Sequence, residues 1–205
     1  MMKRIGIVLA AAAAVAGCAT VAAESDYGQM ALQLMRADFK SKGPATVEGV
    51  INQDEAQRLC SEYPMERPKE IAAQIEAAQL KSVKYPADGK YLGSWQAGEK
   101  IAQNGRGMQS SDAVGSPNGG NCYACHQVSK EEISFGNIGP SLYQYGKLRG
   151  QSEAIMKYTW AKIYNAQAFN ACSNMPRFGH KGILDEKQLK DVMALLLDPA
   201  SPVNK

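Results

Sequence analysis

The sequence has almost no surplus of charge of either sign. Of its 23 basic residues, Lys3 and Arg4 lie in an N-terminal leader without acids, which leaves 21 basic residues against 20 acidic ones. Proteins that bind nucleic acid need an excess of positive charge to neutralise phosphates. The near balance therefore argues against a nucleic-acid partner.

Long apolar runs are missing after the leader. The apolar stretch at residues 5–15 is too short to span a bilayer, and no later segment is apolar enough for a membrane span. Lys3 and Arg4 precede this stretch and small residues at 21–23 follow it, a pattern typical of a cleaved signal peptide. We expect export to the periplasm, with residues 1–23 removed.

Lipidation of Cys18 is the alternative to simple cleavage. Residues 15–18, Val-Ala-Gly-Cys, have the form of a lipobox, which would leave a lipid on Cys18. Both alternatives export the chain. In an oxidising compartment free thiols are not expected to persist. The cysteines that then need a role are Cys60, Cys122, Cys125 and Cys172.

The alternating pattern of β-strands is also absent, so the sequence predicts a helical, loop-rich fold. Residues 24–90 are expected to form a helical N-terminal extension that docks a partner, with a first helix over 29–39. Asn52 and Glu55 fit a capping box ahead of a turn that carries Cys60. Pro68 suits the first turn of a helix that continues to about residue 83, with Ile71, Ile75 and Ala78 on one face.

Residues 91–205 are expected to form the principal domain. The pattern predicts helices over 95–104 and 152–169, and a last helix over 185–197 that begins after Asp185 and stops before Pro199. The apolar side chains of this last helix recur at the spacing of one buried face. They are Leu189, Val192, Met193 and Leu196.

The sharpest motif is Cys-Tyr-Ala-Cys-His at residues 122–126. In C-x-x-C-H, two thiols on one helical turn add across the vinyl groups of a haem, and the imidazole becomes the proximal iron ligand. A redox C-x-x-C would follow a βαβ pattern, which is missing. A zinc site would need two more Cys or His ligands, but His180 is the only other histidine. The motif occurs once, which predicts one covalently bound haem c.

The sixth iron ligand must come from elsewhere in the chain. Met156 and Met193 fall inside predicted helices, where methionine commonly fills the core. Met175 lies on a loop, and Pro176 holds its backbone extended. We therefore favour Met175, with His180 or a vacant position as alternatives. Methionine ligation raises the reduction potential and blocks access of small molecules, which favours electron transfer.

Three supporting interactions are expected around this site. A carbonyl near Pro140 would accept the other ring N–H of His126, unless Gly139-Pro140 is an ordinary turn. Arg177 would contact a haem propionate, unless it is a solvated surface arginine. Cys60 and Cys172 would form a disulfide, with two unpaired buried thiols as the alternative. The pairing would leave no nucleophilic cysteine, so no catalytic residue is expected in this chain.

The motif and the residues after it, which include Gly139-Pro140-Ser141-Leu142, resemble class I c-type cytochromes. Further segments make the chain similar to the SoxX family, the monohaem subunits of the SoxAX complex of bacterial sulfur oxidation. These are Gly-Glu-Lys-Ile-Ala-Gln at 98–103, Asn-Met-Pro-Arg-Phe-Gly at 174–179 and the closing helix. The resemblance runs from about residue 68 to the end, whereas residues 24–66 do not match the class I pattern.

The resemblance implies an all-α, class I cytochrome c-like domain around one haem, with Cys122 and Cys125 as attachment points and His126 and Met175 as axial ligands. It also implies a heterodimer with a SoxA-like cytochrome that holds the active-site haem. That complex, an L-cysteine S-thiosulfotransferase, joins thiosulfate oxidatively to a cysteine of a SoxYZ-like carrier and passes electrons to a soluble acceptor cytochrome. The alternative is a free, diffusible periplasmic cytochrome c.

Overall fold

The computed structural model describes residues 26–64 and 66–205. The predicted signal peptide and Cys18 lie outside these ranges. Within them the chain forms eight α-helices and no β-strand, which confirms the all-α prediction. The helices are α1 (Tyr27–Asp38), α2 (Val47–Ile51), α3 (Glu55–Glu62), α4 (Lys69–Lys81), α5 (Trp95–Gln103), α6 (Tyr145–Arg149), α7 (Glu153–Tyr164) and α8 (Glu186–Leu197).

Helix α8 forms the centre of the main core. Asp185 and Gln188 cap its N-terminus reciprocally, each side chain accepting a hydrogen bond from the other's backbone N–H. The four apolar residues predicted to share one face are all buried. Helix α5 lies directly against α8 because Gly98 has no side chain, and an added Cβ there would overlap the Asp191 carbonyl oxygen.

Helix α7 ends five residues earlier than the sequence pattern predicts, at Tyr164 rather than Phe169. The next residue, Asn165, is fully buried and extended, and its side-chain amide donates hydrogen bonds to Gln79 Oε1 and Ser82 Oγ at 2.9 and 3.0 Å. These contacts with the end of α4 hold Asn165 out of the helical conformation. A short 3₁₀-helix, Ala166–Ala168, follows.

The N-terminal extension differs in two details from its prediction. The capping box at the start of α3 is formed by Asp54 and Gln57, not by Asn52 and Glu55, and Cys60 lies on the helix rather than in a turn. Both residue pairs have the same spacing, so the local pattern alone does not choose between them. Helix α4 begins directly after Pro68, and Ala78 is exposed on it although Ile75 is buried.

Helices α3 and α4 pack on the rest of the chain through a second small core. It consists of Ala56, Leu59, Ile75 and Ala171. The predicted disulfide between Cys60 and Cys172 is present beside it, and joins residues separated by 112 positions. A cross-link over a loop of that length contributes about 5 kcal/mol in the chain-entropy model. Helix α1, in contrast, buries no residue.

Among the helices of residues 26–64 and 66–205, none combines the length and the apolarity that a membrane span requires.

Candidate haem site

A cavity of about 920 Å³ lies between the C-x-x-C-H segment, α7, α8 and the loop at 170–176. Cofactor sites typically enclose 300–1,000 Å³ behind mainly apolar walls. Here the walls are apolar side chains of the main core and its surroundings, including Val128, Leu142, Ile163, Phe178, Leu184, Leu195 and Leu196.

The C-x-x-C-H motif forms one wall of this cavity. Residues Cys122–Ala124 form a single 3₁₀ turn, and the His126 N–H donates a hydrogen bond to the Cys122 carbonyl at 2.9 Å. The turn brings both thiols and the imidazole to the cavity, and neither thiol is in a disulfide. Burial raises the pKa of the Cys122 thiol to about 11, and the nearby Cys125 acts in the same direction.

A hydrogen bond to a backbone carbonyl holds the ring of His126 in place. Its Nδ1 donates to the Pro140 carbonyl oxygen at 2.7 Å, as predicted. Because a carbonyl can only accept, Nδ1 carries a proton, which makes Nε2 the ring nitrogen available to bind iron. The Gly139 N–H donates to the Cys125 carbonyl at 2.8 Å, which fastens the Gly139-Pro140 segment to the motif.

Gly139 is required by the position of this ring, because an added Cβ would overlap the His126 side chain. We expect Gly139→Ala to displace the ring or the Pro140 carbonyl, and to destabilise the haem-loaded protein by about 1–3 kcal/mol, the usual cost of overpacking. Thermal unfolding followed at the haem absorption band measures the effect. Gly28→Ala on the exposed helix α1 is the matched control, and an equal melting temperature for both variants would contradict the prediction.

Met175 lines the same cavity as the motif, whereas Met156 and Met193 do not. Met193 is fully buried in the core, as expected of a packing residue. His180, the rival sixth ligand, is directed elsewhere: its Nδ1 lies 3.0 Å from Ser82 Oγ after α4, and it is not part of the cavity wall. The structure thus brings together Cys122, Cys125, His126 and Met175.

Arg177 does not occupy its predicted place. It is only 6% exposed, so it is not a solvated surface arginine, and it does not line the cavity. Its Nη2 lies 2.5 Å from Asp54 Oδ2, and its Nη1 donates to Gln79 Oε1 at 3.1 Å. The guanidinium therefore binds residues of the N-terminal extension and is not placed to contact a haem propionate.

Two other cations, which the sequence analysis missed, line the cavity. They are Arg149 at the end of α6 and Lys162 on α7, and no described Asp or Glu side chain joins them in the wall. Burial lowers the pKa of Lys162. Haem carries two carboxylates, so this charge pattern suits it. Nothing in the local sequence distinguishes these two residues from ordinary helix-surface cations.

The residues present fit a haem and do not fit zinc. Two thiols, an imidazole and a thioether face one apolar cavity with cations and no acids in its wall. Within residues 26–64 and 66–205, no group of three or more His, Cys, Asp or Glu side chains is placed to hold a metal ion.

Comparison with known proteins gives two similarities. The family model described as Cytochrome c matches residues 95–198, a range that contains the motif, Met175 and helices α5 to α8. A protein of Aquifex aeolicus (strain VF5), described as an uncharacterized lipoprotein, is 35% identical over 184 residues. The aligned region covers 86% of this chain and 87% of that protein.

Proposed function

Because the chain belongs to the cytochrome c family, we propose that it is a monohaem electron-transfer protein. Cys122 and Cys125 would hold the haem through thioether bonds, and His126 and Met175 would supply the two iron ligands from the protein. The observation that carries this proposal is that all four side chains line one cavity, although Met175 lies on a separate loop far along the chain. When bound, the haem supplies a one-electron iron couple.

The protein's own residues suit electron transfer rather than catalysis at the iron. The Pro140 carbonyl orients His126, and the walls around the site are mainly apolar. As an iron ligand, Met175 would take the position that a gas or a peroxide needs, which argues against a sensor or a peroxidase. The C-x-x-C-H motif occurs once in the sequence, so one haem is proposed.

We further propose that the chain is the electron-transfer subunit of a SoxAX-type L-cysteine S-thiosulfotransferase, paired with a SoxA-like cytochrome. Support comes from the segments at 98–103 and 174–179 and from helix α8. Cys60 and Cys172 are in a disulfide, and Cys122 and Cys125 are assigned to the haem, so no thiol remains within residues 26–64 and 66–205 to receive sulfur.

Electron balance agrees with a second redox centre. Joining thiosulfate to a carrier thiol forms one sulfur–sulfur bond and releases one proton and two electrons. One haem iron accepts one electron, so either a partner haem takes the other or two transfers follow each other. In both cases the electrons leave to an acceptor cytochrome.

A freely diffusing electron carrier is the second candidate. Ile138 and Leu148 line the cavity although they are 77% and 74% exposed, which marks an apolar rim suited to brief docking. A carrier needs only such a small contact face, whereas a subunit needs a permanent interface.

Native co-purification distinguishes these two candidates. The untagged protein, isolated from its own cells under native conditions and analysed by size exclusion with haem staining, is expected to elute with a second haem protein in a stoichiometric complex. Elution as a haem-containing monomer would contradict the subunit proposal and support the carrier. A colourless protein would contradict both.

Export is supported by the leader sequence, and the description of the Aquifex aeolicus relative as a lipoprotein supports a lipid on Cys18. We propose the periplasmic side of the membrane as the location. Intact-mass analysis of the mature protein separates an acylated N-terminal Cys18 from a chain cut before Glu24.

A further inference from the structure

The segment at 165–181, which carries Met175, is bonded to the N-terminal extension along its length. Its backbone and side chains contact helices α3 and α4, Asp54 just before α3, and Ser82 just after α4. The contacts are Asn165 to Gln79 (2.9 Å), the Ala171 N–H to Glu76 (3.1 Å), Cys172 to Cys60 by the disulfide, Arg177 to Asp54 (2.5 Å) and Gln79 (3.1 Å), His180 to Ser82 (3.0 Å) and Lys181 to Asp54 (2.7 Å).

Two of these contacts bracket Met175 closely. Cys172, three residues before it, is fixed covalently to α3, and Arg177, two residues after it, is fixed by Asp54 and Gln79. Holding both ends of so short a segment removes most of the backbone freedom of the residues between them. The residues that hold both ends lie outside the region matched by the cytochrome c family model, which begins at residue 95.

The Asp54 and Arg177 pair is well suited to such an anchor. Arg177 is buried, so loss of its partner would leave a buried charge without compensation. Burial alone would raise the pKa of Asp54, but hydrogen bonds from Lys181, the Gln57 N–H and Arg177 hold it at about 2. The carboxylate is thus ionised whenever the protein is folded near neutral pH.

We infer that the N-terminal extension positions the sixth iron ligand, with Asp54 acting through Arg177 on one side of Met175 and Cys60 acting through Cys172 on the other. The inference rests on the proposed function, in which Met175 binds the iron. Asp54, Arg177 and Cys60 are positioning residues, since none of them lines the cavity. Groups behind a metal ligand commonly set its orientation and strength in this way.

The test uses the full-length haem-loaded protein and three readouts that a purely structural role would not move. These are the methionine–iron absorption band of the oxidised form, carbon monoxide binding to the reduced form, and the reduction potential. All are measured well below the melting temperature, with far-ultraviolet circular dichroism as the check on folding. The variants are Asp54→Asn, the double variant Cys60→Ser with Cys172→Ser, and Glu153→Gln as control, which removes a distant exposed ion pair with Lys157.

We expect Asp54→Asn and the double cysteine variant each to weaken the methionine–iron band and to raise the rate of carbon monoxide binding at least tenfold. The reduced-to-oxidised ratio at a fixed applied potential should fall several-fold, since a weaker methionine ligand lowers the potential. Asp54→Glu, which keeps the charge, should restore most of the band. Glu153→Gln should behave as the wild type.

If Asp54→Asn fails to fold, Gln79→Leu removes the contacts of Gln79 Oε1 with Arg177 and Asn165 while leaving the ion pair, and should shift the same readouts by less. Wild-type bands, carbon monoxide rates and potentials in all folded variants would overturn the inference and leave the proposed function intact. A wild-type protein that lacks the methionine–iron band would instead overturn the assignment of Met175, and with it both proposals.

Discussion

Met175→Ala is expected to open the haem iron to carbon monoxide and to lower the reduction potential. The structure brings Met175, and not His180, Met156 or Met193, to the cavity that the C-x-x-C-H motif lines. Loss of the thioether would leave the sixth position without a protein ligand. Methionine favours the reduced iron, so we expect the reduced-to-oxidised ratio at fixed potential to fall at least tenfold, which is about 59 mV for a one-electron couple.

Carbon monoxide difference spectra and a redox titration measure this effect. Met156→Ala is the matched control, because it removes a methionine that packs against the main core but does not line the cavity. His180→Ala should keep the methionine–iron band, because His180 is not part of the cavity wall. Carbon monoxide binding equal to that of the wild type in Met175→Ala would show that another residue is the sixth ligand.

The double variant Cys122→Ala with Cys125→Ala is expected to lose covalent haem completely, while each single variant keeps one thioether. The effect should extend to the fold. Without the haem, the apolar walls of the cavity of about 920 Å³ lose the group they would pack against. Domains are usually stable by only about 5–15 kcal/mol. We therefore expect the haem-free chain to be less stable and less helical than the haem-loaded protein.

Mass spectrometry of the denatured protein reports the covalent haem, and far-ultraviolet circular dichroism reports the fold. Cys60→Ser serves as the control for covalent attachment only, because it removes a disulfide-bonded cysteine of the same chain without touching the motif. The double variant should show no haem mass and a reduced helical signal, whereas Cys60→Ser should retain the haem. Haem that stays attached to the double variant would refute the assignment of both cysteines.

Features set by neighbouring residues were predictable from the sequence. Helix α8 begins at the predicted Asp185 and buries the predicted stripe, because a capping box and a 3.6-residue period are both local signals. The hydrogen bond from His126 to Pro140 was also predictable, since the two residues are only 14 positions apart.

Features set by distant residues were not predictable from the sequence. The partner of Arg177 is Asp54, 123 positions away, and no pattern near either residue indicates their pairing. The early end of α7 has the same origin, because Asn165 bonds to residues of the N-terminal extension. The cations Arg149 and Lys162 are recognisable as site residues only in the structure, where they line the cavity.

The disulfide between Cys60 and Cys172 also constrains biosynthesis. The four cysteines of the described residues can pair in three ways, and one of these ways joins Cys122 to Cys125, which lie on one turn. Thioether formation, as proposed above, consumes free sulfhydryls, so a chain oxidised at that turn would first have to be reduced. In the exported protein proposed here, the bond over 112 residues would thus have to close while the two sulfhydryls three residues apart stay reduced until the porphyrin is attached.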